Sequence, residues 1–385
     1  MRKANGLRCI QLNQNLLILF VVSSLGCSDP STLPFDLPSN FPPPRQPLTN
    51  VATPAKIELG RHLFYEKRLS RNHSQACSSC HLQALAFTDG KTVSVGSTGQ
   101  KHPRNSPTLT NAAYNATFTW ANPHLTELET QILVPLFGDA PVELGATSTS
   151  PPDEILADPA YAVLFQTAFP EVESPTWDHF AQALACFVRS MISGDSPFDK
   201  FVYENDASAL SESALKGMSL FYSERLECHH CHGGFNFTES SVHENSAFSA
   251  ARFHNTGLYN IDEDGSYPPD NTGLYEVTEK PEDMGKFRAP TLRNIGVTAP
   301  YMHDGSVDSL YGVVRLYEDG GRFVKDGPWF GDGRKNQWKS GFVAGFTLTD
   351  QEREDLVHFL ESLTDEDFLT DPRLSNPFEQ ARAQK

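Results

Sequence analysis

The sequence predicts a mainly α chain in two domains, and three observations support that reading. The pentapeptide C-x-x-C-H occurs twice, as Cys77-Ser78-Ser79-Cys80-His81 and as Cys228-His229-His230-Cys231-His232, one copy in each half. The length, 385 residues, is enough for two ordinary cores. The stretch before each pentapeptide carries apolar residues at helical spacing: Ile57, Leu59, Leu63 and Phe64 before the first, and Leu215, Met218, Phe221 and Tyr222 before the second.

The pentapeptide is the attachment signal for c-type haem. Its two thiols can meet the two vinyl groups of one porphyrin, and the histidine that follows falls under the iron as proximal ligand. A single C-x-x-C also serves as a zinc knuckle or a redox dithiol. Zinc draws four ligands from close-set pairs, whereas these pairs lie in separate halves. Cys77, Cys80, Cys228 and Cys231 are therefore the expected cofactor attachments, and His81 and His232 the ligands of the two irons. Each domain is expected to be a class I cytochrome c-like unit with one covalently bound haem. The remaining cysteines of the seven are Cys9 and Cys27 near the start and Cys186, which lies on an apolar helical face and reads as a small buried hydrophobe. No disulfide framework is implied. The formal charge of -17 argues against nucleic acid as a partner and suits solubility or a basic partner.

Taken in order, Arg2, Lys3 and Arg8 precede an apolar run at 16–22 that is too short to span a bilayer, so residues 1–26 read as a secretory signal and the protein as periplasmic. Leu25-Gly26-Cys27 resembles a bacterial lipobox, although Ser24 stands where leucine is usual, and makes Cys27 the candidate for a lipid anchor. Residues 27–50, rich in Pro, Ser and Asn, read as a tether. The N-terminal domain, 51–195, is expected to hold helices at 55–69, 153–169 and 176–192, the last with a core-facing stripe of Trp177, Phe180, Leu184 and Phe187. Gly194-Asp195-Ser196-Pro197 marks the junction. The C-terminal domain, 196–364, opens with a helix at 211–226. A polar excursion over 233–286 follows, with His243 and His254 expected in solvent. It closes with a helix that starts at the capping box Thr349-Asp350-Gln351-Glu352 and carries Leu356, Phe359, Leu360 and Leu363. Residues 365–385 form a tail without periodicity.

Several motifs carry a family likeness. Phe64 with Arg68-Leu69-Ser70, the first pentapeptide, Pro103-Arg104-Asn105-Ser106-Pro107-Thr108, Leu292-Arg293-Asn294 and Ala299-Pro300-Tyr301-Met302-His303-Asp304-Gly305 resemble the bacterial dihaem cytochrome c peroxidase/MauG superfamily over residues 40–365. Phe41-Pro42-Pro43-Pro44, Thr119-Trp120-Ala121-Asn122-Pro123 and Pro141-Val142-Glu143-Leu144-Gly145 are most similar to its MbnH-like branch. The resemblance implies a peroxidatic haem in the first domain and an electron-transfer haem in the second. Many members place a second axial histidine after the glycine of the loop at 95–99. Here Ser97 follows Gly96, so the first iron should keep an open position, with the nearby His102 in solvent. The implied distal pocket is Gln131, Pro135 and Glu143. Glu143 would move a proton between the peroxide oxygens if burial raises its pKa. The longer spacing from Pro135 leaves Asp139 as the runner-up acid.

Trp120 is implied as the relay between the haems, against the commoner fate of a core tryptophan. Many members ligate the second iron with methionine. An ungapped match from Ala299-Pro300-Tyr301 puts Tyr317 there, with Met302 left to packing. Methionine favours ferrous iron, whereas an anionic phenolate favours the ferric and higher states. The alternative for Tyr317 is a core tyrosine. A calcium ion held by the Asn105 side chain and the carbonyls of Thr298 and Pro300 is also implied, as is a tail that returns to the first domain.

The function implied is a peroxidase that uses hydrogen peroxide to form a bis-Fe(IV) state and oxidises a tryptophan of a partner protein of the MbnP-like copper-binding class. One alternative is a cytochrome c peroxidase fed by a small redox protein. The other is a dihaem electron carrier without catalysis. Leu226-Glu227 stand where MauG has a surface tryptophan, so an electron hole must leave by another route.

Overall fold

The computed structural model describes residues 33–247 and 251–379. The expected signal, Cys9 and Cys27 lie outside them. Twelve α-helices are present among the described residues: α1 (Pro54–Phe64), α2 (Leu128–Phe137), α3 (Asp153–Leu156), α4 (Pro159–Ala168), α5 (Trp177–Arg189), α6 (Pro197–Tyr203), α7 (Glu212–Phe221), α8 (Cys228–Cys231), α9 (Tyr275–Thr278), α10 (Leu310–Glu318), α11 (Asp350–Glu361) and α12 (Glu366–Thr370). Sheet is confined to two short antiparallel pairs, β1 (Phe253–His254) with β2 (Phe287–Arg288) and β3 (Phe323–Val324) with β4 (Gly331–Asp332). No described helix is long and apolar enough to cross a membrane.

One packing unit occurs twice. In the first half, α1 crosses α5 at Gly60, where a Cβ would lie 2.0 Å from the Ala183 carbonyl oxygen. In the second, α7 crosses α11 at Gly217, where a Cβ would lie 1.9 Å from the Asp355 carbonyl oxygen. Four residues past each glycine a phenylalanine turns inward. Phe64 meets Phe87 and Phe187, and Phe221 meets Phe237 and Phe359, all buried. Thr108 then donates to the Ala86 carbonyl and Thr291 to that of Asn236, each acceptor preceding the central phenylalanine. Finally Asn111 takes the backbone N–H of Ser193 after α5, and Asn294 that of Asp365 after α11. The apolar cores follow this division. One gathers around α1, α2, α4 and α5, the other around α7, α10 and α11.

A buried polar joint links the halves. Asp365 Oδ2 accepts from Ser193 Oγ and from the backbone N–H groups of Gly194 and Asp195, each at 3.0 Å. Asn294 Nδ2 reaches Ser193 Oγ and Thr110 Oγ1, and Asn111 Nδ2 reaches Asn236 Oδ1. Beside them the Arg293 guanidinium makes a bidentate pair with Asp199 at 2.8 and 3.0 Å, both side chains fully buried. A buried charge is tolerated only when paired and hydrogen-bonded in this way. The tail after Asp365 returns to the first core, with Phe368 against Phe87 and the Tyr65 hydroxyl on the Leu374 carbonyl.

Four expectations are corrected. The first helix stops at Phe64, because Glu66 caps a separate turn at 67–69 and pairs with Arg68. The helix expected at 153–169 is two, broken where Asp158 caps α4 and Pro159 opens it. Residues 41–50 are not a tether: Phe41 is buried against Tyr114, Phe235 and the Arg293 guanidinium, and the buried Asn50 donates to Glu129 and Gln182. One aromatic ring outweighs the Pro-rich composition there. The stretch 233–286 is not a surface excursion, since Leu258, Tyr259 and Tyr267 form a third apolar cluster with Phe287 and Leu316.

The repeated glycine gives a stability test. Gly217→Ala gains about 1 kcal/mol of helix propensity. It also forces a Cβ into the α11 backbone, an overlap of the kind that costs about 1–3 kcal/mol or more. Chemical denaturation of the haem-loaded protein should show the variant less stable. A gain in stability would mean that the helices do not cross at this point.

Candidate active site

Both C-x-x-C-H histidines are held by the same bond. His81 Nδ1 lies 2.7 Å from the Phe87 carbonyl and His232 Nδ1 3.3 Å from the Phe237 carbonyl. A carbonyl accepts only, so Nδ1 carries the proton and Nε2 is free to ligate. Phe87 and Phe237 both lie at positive φ, +62° and +48°, which turns their carbonyls back toward the pentapeptide. Burial lowers the pKa of both imidazoles, that of His232 to about 4, and keeps them neutral, as a metal ligand requires. Burial also pushes the Cys77 and Cys228 thiols up to about 12. A redox dithiol needs the opposite shift.

At the first site the loop at 95–101 is fastened to the segment that carries the acid. Gly96 has no room for a Cβ, which would sit 1.8 Å from the Val142 carbonyl oxygen. Ser97 N–H donates to the Glu143 carbonyl at 2.7 Å, and its hydroxyl donates to the Leu144 carbonyl at 3.1 Å. The hydroxyl is thus engaged with backbone. Leu144 N–H reaches the Pro135 carbonyl of α2 at 2.9 Å, which brings Glu143 beside Gln131 and Pro135 on that helix. Gln131 Oε1 is buried without a hydrogen-bond partner. Burial raises the Glu143 carboxyl to about 7, and its charge bears on the Cys77 and Cys80 thiols. Asp139 is exposed and bears on neither. His102, expected in solvent, is half-buried with Nε2 3.7 Å from Glu143 Oε1.

The second site is a recess of about 1310 Å³, its mouth included. Cys228, Cys231, His232, Tyr317, Trp120 and Met302 all line it. The Tyr317 hydroxyl makes no hydrogen bond among the described residues, and burial holds its pKa above the usual tyrosine value. Met302 stands at φ +70° on the same wall. Two residues there carry roles that the sequence did not reveal. Arg288 is 6% exposed, its guanidinium pairs with no carboxylate among the described residues, and burial lowers its pKa to about 10. His303 is buried with Nε2 unpartnered and its pKa lowered to about 3 by burial. An unpaired guanidinium in an apolar wall requires an anion. The propionates of a porphyrin would answer that charge, and the Tyr317 phenol would offer an oxygen to its iron, so the wall fits a haem. His254, expected in solvent, is half-buried on this wall and bonded to Glu239; the hydrogen bonds its ring donates to Cys231 and Glu239 raise its pKa to about 9.

Trp120 joins the two sites. Its ring lines the second recess, and its Nε1–H donates to the Asn105 carbonyl at 2.8 Å. Next in sequence, the Ser106 hydroxyl donates to the Cys80 carbonyl at 2.8 Å, beside His81. Asn105 N–H also takes the His303 carbonyl, which brings Asn105 next to the segment of Thr298 and Pro300. Asn105 Nδ2 donates to the Lys91 carbonyl, and its Oδ1 accepts no hydrogen bond among the described residues.

The arrangement defines a dihaem peroxidase-type oxidoreductase, and comparison with known proteins agrees. A family model described as di-haem cytochrome c peroxidase matches residues 54–207. The methylamine utilization protein MauG of Methylorubrum extorquens is 33% identical over 329 residues, 86% of this chain and 83% of its own. The cytochrome c551 peroxidase of Pseudomonas aeruginosa is 32% identical over 260 residues, 67% of this chain and 70% of its own. A crystal structure of a MauG-like protein associated with microbial copper homeostasis is 48% identical, with a TM-score of 0.87 over 89% of this chain and 99% of that one. The chain therefore belongs to the MauG-like dihaem cytochrome c peroxidase superfamily, with two haems as cofactors and hydrogen peroxide as substrate.

The second recess makes a spectroscopic prediction. In the ferric, haem-loaded protein, Tyr317→Phe should change the optical and EPR bands of one haem and leave the other's intact, whereas Met302→Leu should change neither. The reverse pattern would give the ligand position to Met302.

Proposed function

We propose that this protein is an exported, periplasmic MauG-like peroxidase that oxidises a tryptophan of a partner protein of the MbnP-like copper-binding class. The observation that carries this reading is Tyr317, whose unpartnered hydroxyl faces the recess of Cys228, Cys231 and His232. The 48% identity to a MauG-like protein associated with copper homeostasis supports the choice of partner. The enzyme class sets aside the electron-carrier alternative. A cytochrome c peroxidase fed by a small redox protein is the second reading, favoured by the relative in Pseudomonas aeruginosa.

The haems, covalently held at Cys77 and Cys80 and at Cys228 and Cys231, supply the irons that reduce peroxide and store its oxidising equivalents. His81 and His232 present neutral Nε2 atoms to them. Ser97, with its hydroxyl on the Leu144 carbonyl, leaves the far side of the first iron to peroxide. Glu143 takes the proton from one peroxide oxygen and returns it to the departing one, and Gln131, with its buried free Oε1, lines the same pocket beside Pro135. Tyr317 would offer an oxygen to the second iron, and Arg288 would neutralise a propionate. Trp120 spans the two sites and conducts the electron between them. Asn105, with Oδ1 held outward by the bond from Nδ2, offers calcium a neutral oxygen beside the Thr298 and Pro300 carbonyls.

The proton role sets a pH dependence. A base must be deprotonated to accept a proton, so the rate with peroxide should rise as pH passes the Glu143 value of about 7. Stopped-flow mixing of ferric enzyme with peroxide should show Glu143→Gln slower by ~100- to 10,000-fold and without that rising limb. A limb retained in the variant would assign the base elsewhere. Trp120→Phe should leave the first reaction with peroxide fast but abolish the spectral change at the second haem. Incubation of the wild type, peroxide and a purified MbnP-like protein, read by mass spectrometry of its tryptophans, tests the substrate. Unmodified tryptophan alongside rapid oxidation of a reduced cytochrome c would favour the second reading.

A further inference from the structure

One cluster of metal-ligating side chains has no part in the reaction above, although Glu227 at its edge also lines the second recess. Haem attachment needs the two cysteines and the last histidine of each pentapeptide, and leaves the two middle positions free. The first pentapeptide fills them with Ser78 and Ser79, the second with His229 and His230. A ligand atom from each of these histidines and one from Glu224 lie within 4.8 Å of one another. Glu224 bridges the pair, with Oε1 3.6 Å from His229 Nε2 and Oε2 3.6 Å from His230 Nε2. Glu227 Oε2, 2.7 Å from His230 Nε2, borders the trio without lying within 4.8 Å of all three donors.

The rings are well placed before any ion arrives. α8 holds them with centroids 4.3 Å apart, and His230 stacks on Phe342 at 4.8 Å. His229 Nδ1 is buried, so Nε2 is the nitrogen that faces Glu224. The nearby Arg225 is turned to Glu352 and does not compete for the acids. Glu224 is 79% exposed, which leaves the cluster open to ions from solvent. In a tetrahedral zinc site the bonds of about 2.0–2.2 Å put donor atoms roughly 3.3 Å apart, so small side-chain rotations close the observed gaps.

We propose that Glu224, His229 and His230, completed by water, form a surface site for a divalent transition metal of the zinc or copper(II) class. Two imidazoles suit these ions, whereas calcium and magnesium favour oxygen alone. The site is separate from the calcium position beside Asn105 and independent of the peroxidase reading.

The test uses chelator-treated, haem-loaded protein in saturating calcium. Calorimetric titration with Zn²⁺ should show one tight equivalent. Titration with Cu²⁺ should show one copper EPR signal with nitrogen hyperfine structure. The double substitution His229→Gln and His230→Gln should weaken both metals by about tenfold or more, with haem content and spectra unchanged. If that variant fails to load haem, Glu224→Gln, outside the pentapeptide, carries the same comparison. Absence of a tight Zn²⁺ equivalent, or equal affinity in the variants that load haem, would overturn the proposal.

Discussion

The bond from each pentapeptide histidine to the carbonyl of a left-handed phenylalanine is the constraint on which the rest of the structure depends. An imidazole that ligates iron must be neutral, must carry its proton on the far nitrogen, and must not rotate. His81 on Phe87 and His232 on Phe237 meet all three conditions with one contact. That contact holds only if the phenylalanine backbone stays at positive φ, at a cost for a residue with a Cβ. The surrounding fold supplies the restraint: Phe87 is wedged against Phe64 and Phe237 against Phe221, and Thr108 and Thr291 fix the preceding carbonyls. Glycine crossings at Gly60 and Gly217 bring the helices close enough for that wedge.

From this shared base the two halves diverge on the opposite side of each histidine. The first half closes its loop with a serine whose hydroxyl bonds backbone and an acid whose pKa burial has raised. The second turns a phenol, a buried guanidinium and an unpartnered imidazole into an apolar recess. In the proposed reaction the first set would move a proton and leave space for a small oxidant, and the second would supply fixed ligands and counter-charge.

The pentapeptides, the helices α5, α7 and α11 and the capping box at Thr349 were legible because periodicity and short motifs are local. The wider repeat was not. Gly60 with Phe64 and Thr108 with Asn111 keep the short spacings of Gly217 with Phe221 and Thr291 with Asn294, but the intervals on either side of Phe87 and Phe237 are wide and unequal. The intervals differ because the second half inserts the cluster of Leu258, Tyr259 and Tyr267 before its threonine. Arg288 was hidden for another reason: a guanidinium is usually exposed, and only burial without a carboxylate partner marks it. His102 and His254 were misplaced because each sits beside a carboxylate distant in sequence.

The proposed relay through Trp120 asks more of the joint than stability. A tryptophan passes an electron reproducibly only if its distances to both centres are fixed, which requires the two halves to behave as one body. Trp120 is bonded to Asn105, Asn105 to His303, and Ser106 to Cys80, so the indole is referred to both sites through backbone groups. The bond from Asn105 to His303 crosses between the halves, and a slip of about one ångström would break it. The buried network of Asn111, Ser193, Asn294 and Asp365, with Arg293 on Asp199, resists that slip. Apolar contact alone is non-directional and tolerates sliding. A satisfied polar network has one register. The choice of polar groups at the joint, with apolar groups around each histidine, thus separates the two tasks: cohesion within each half, and alignment between them.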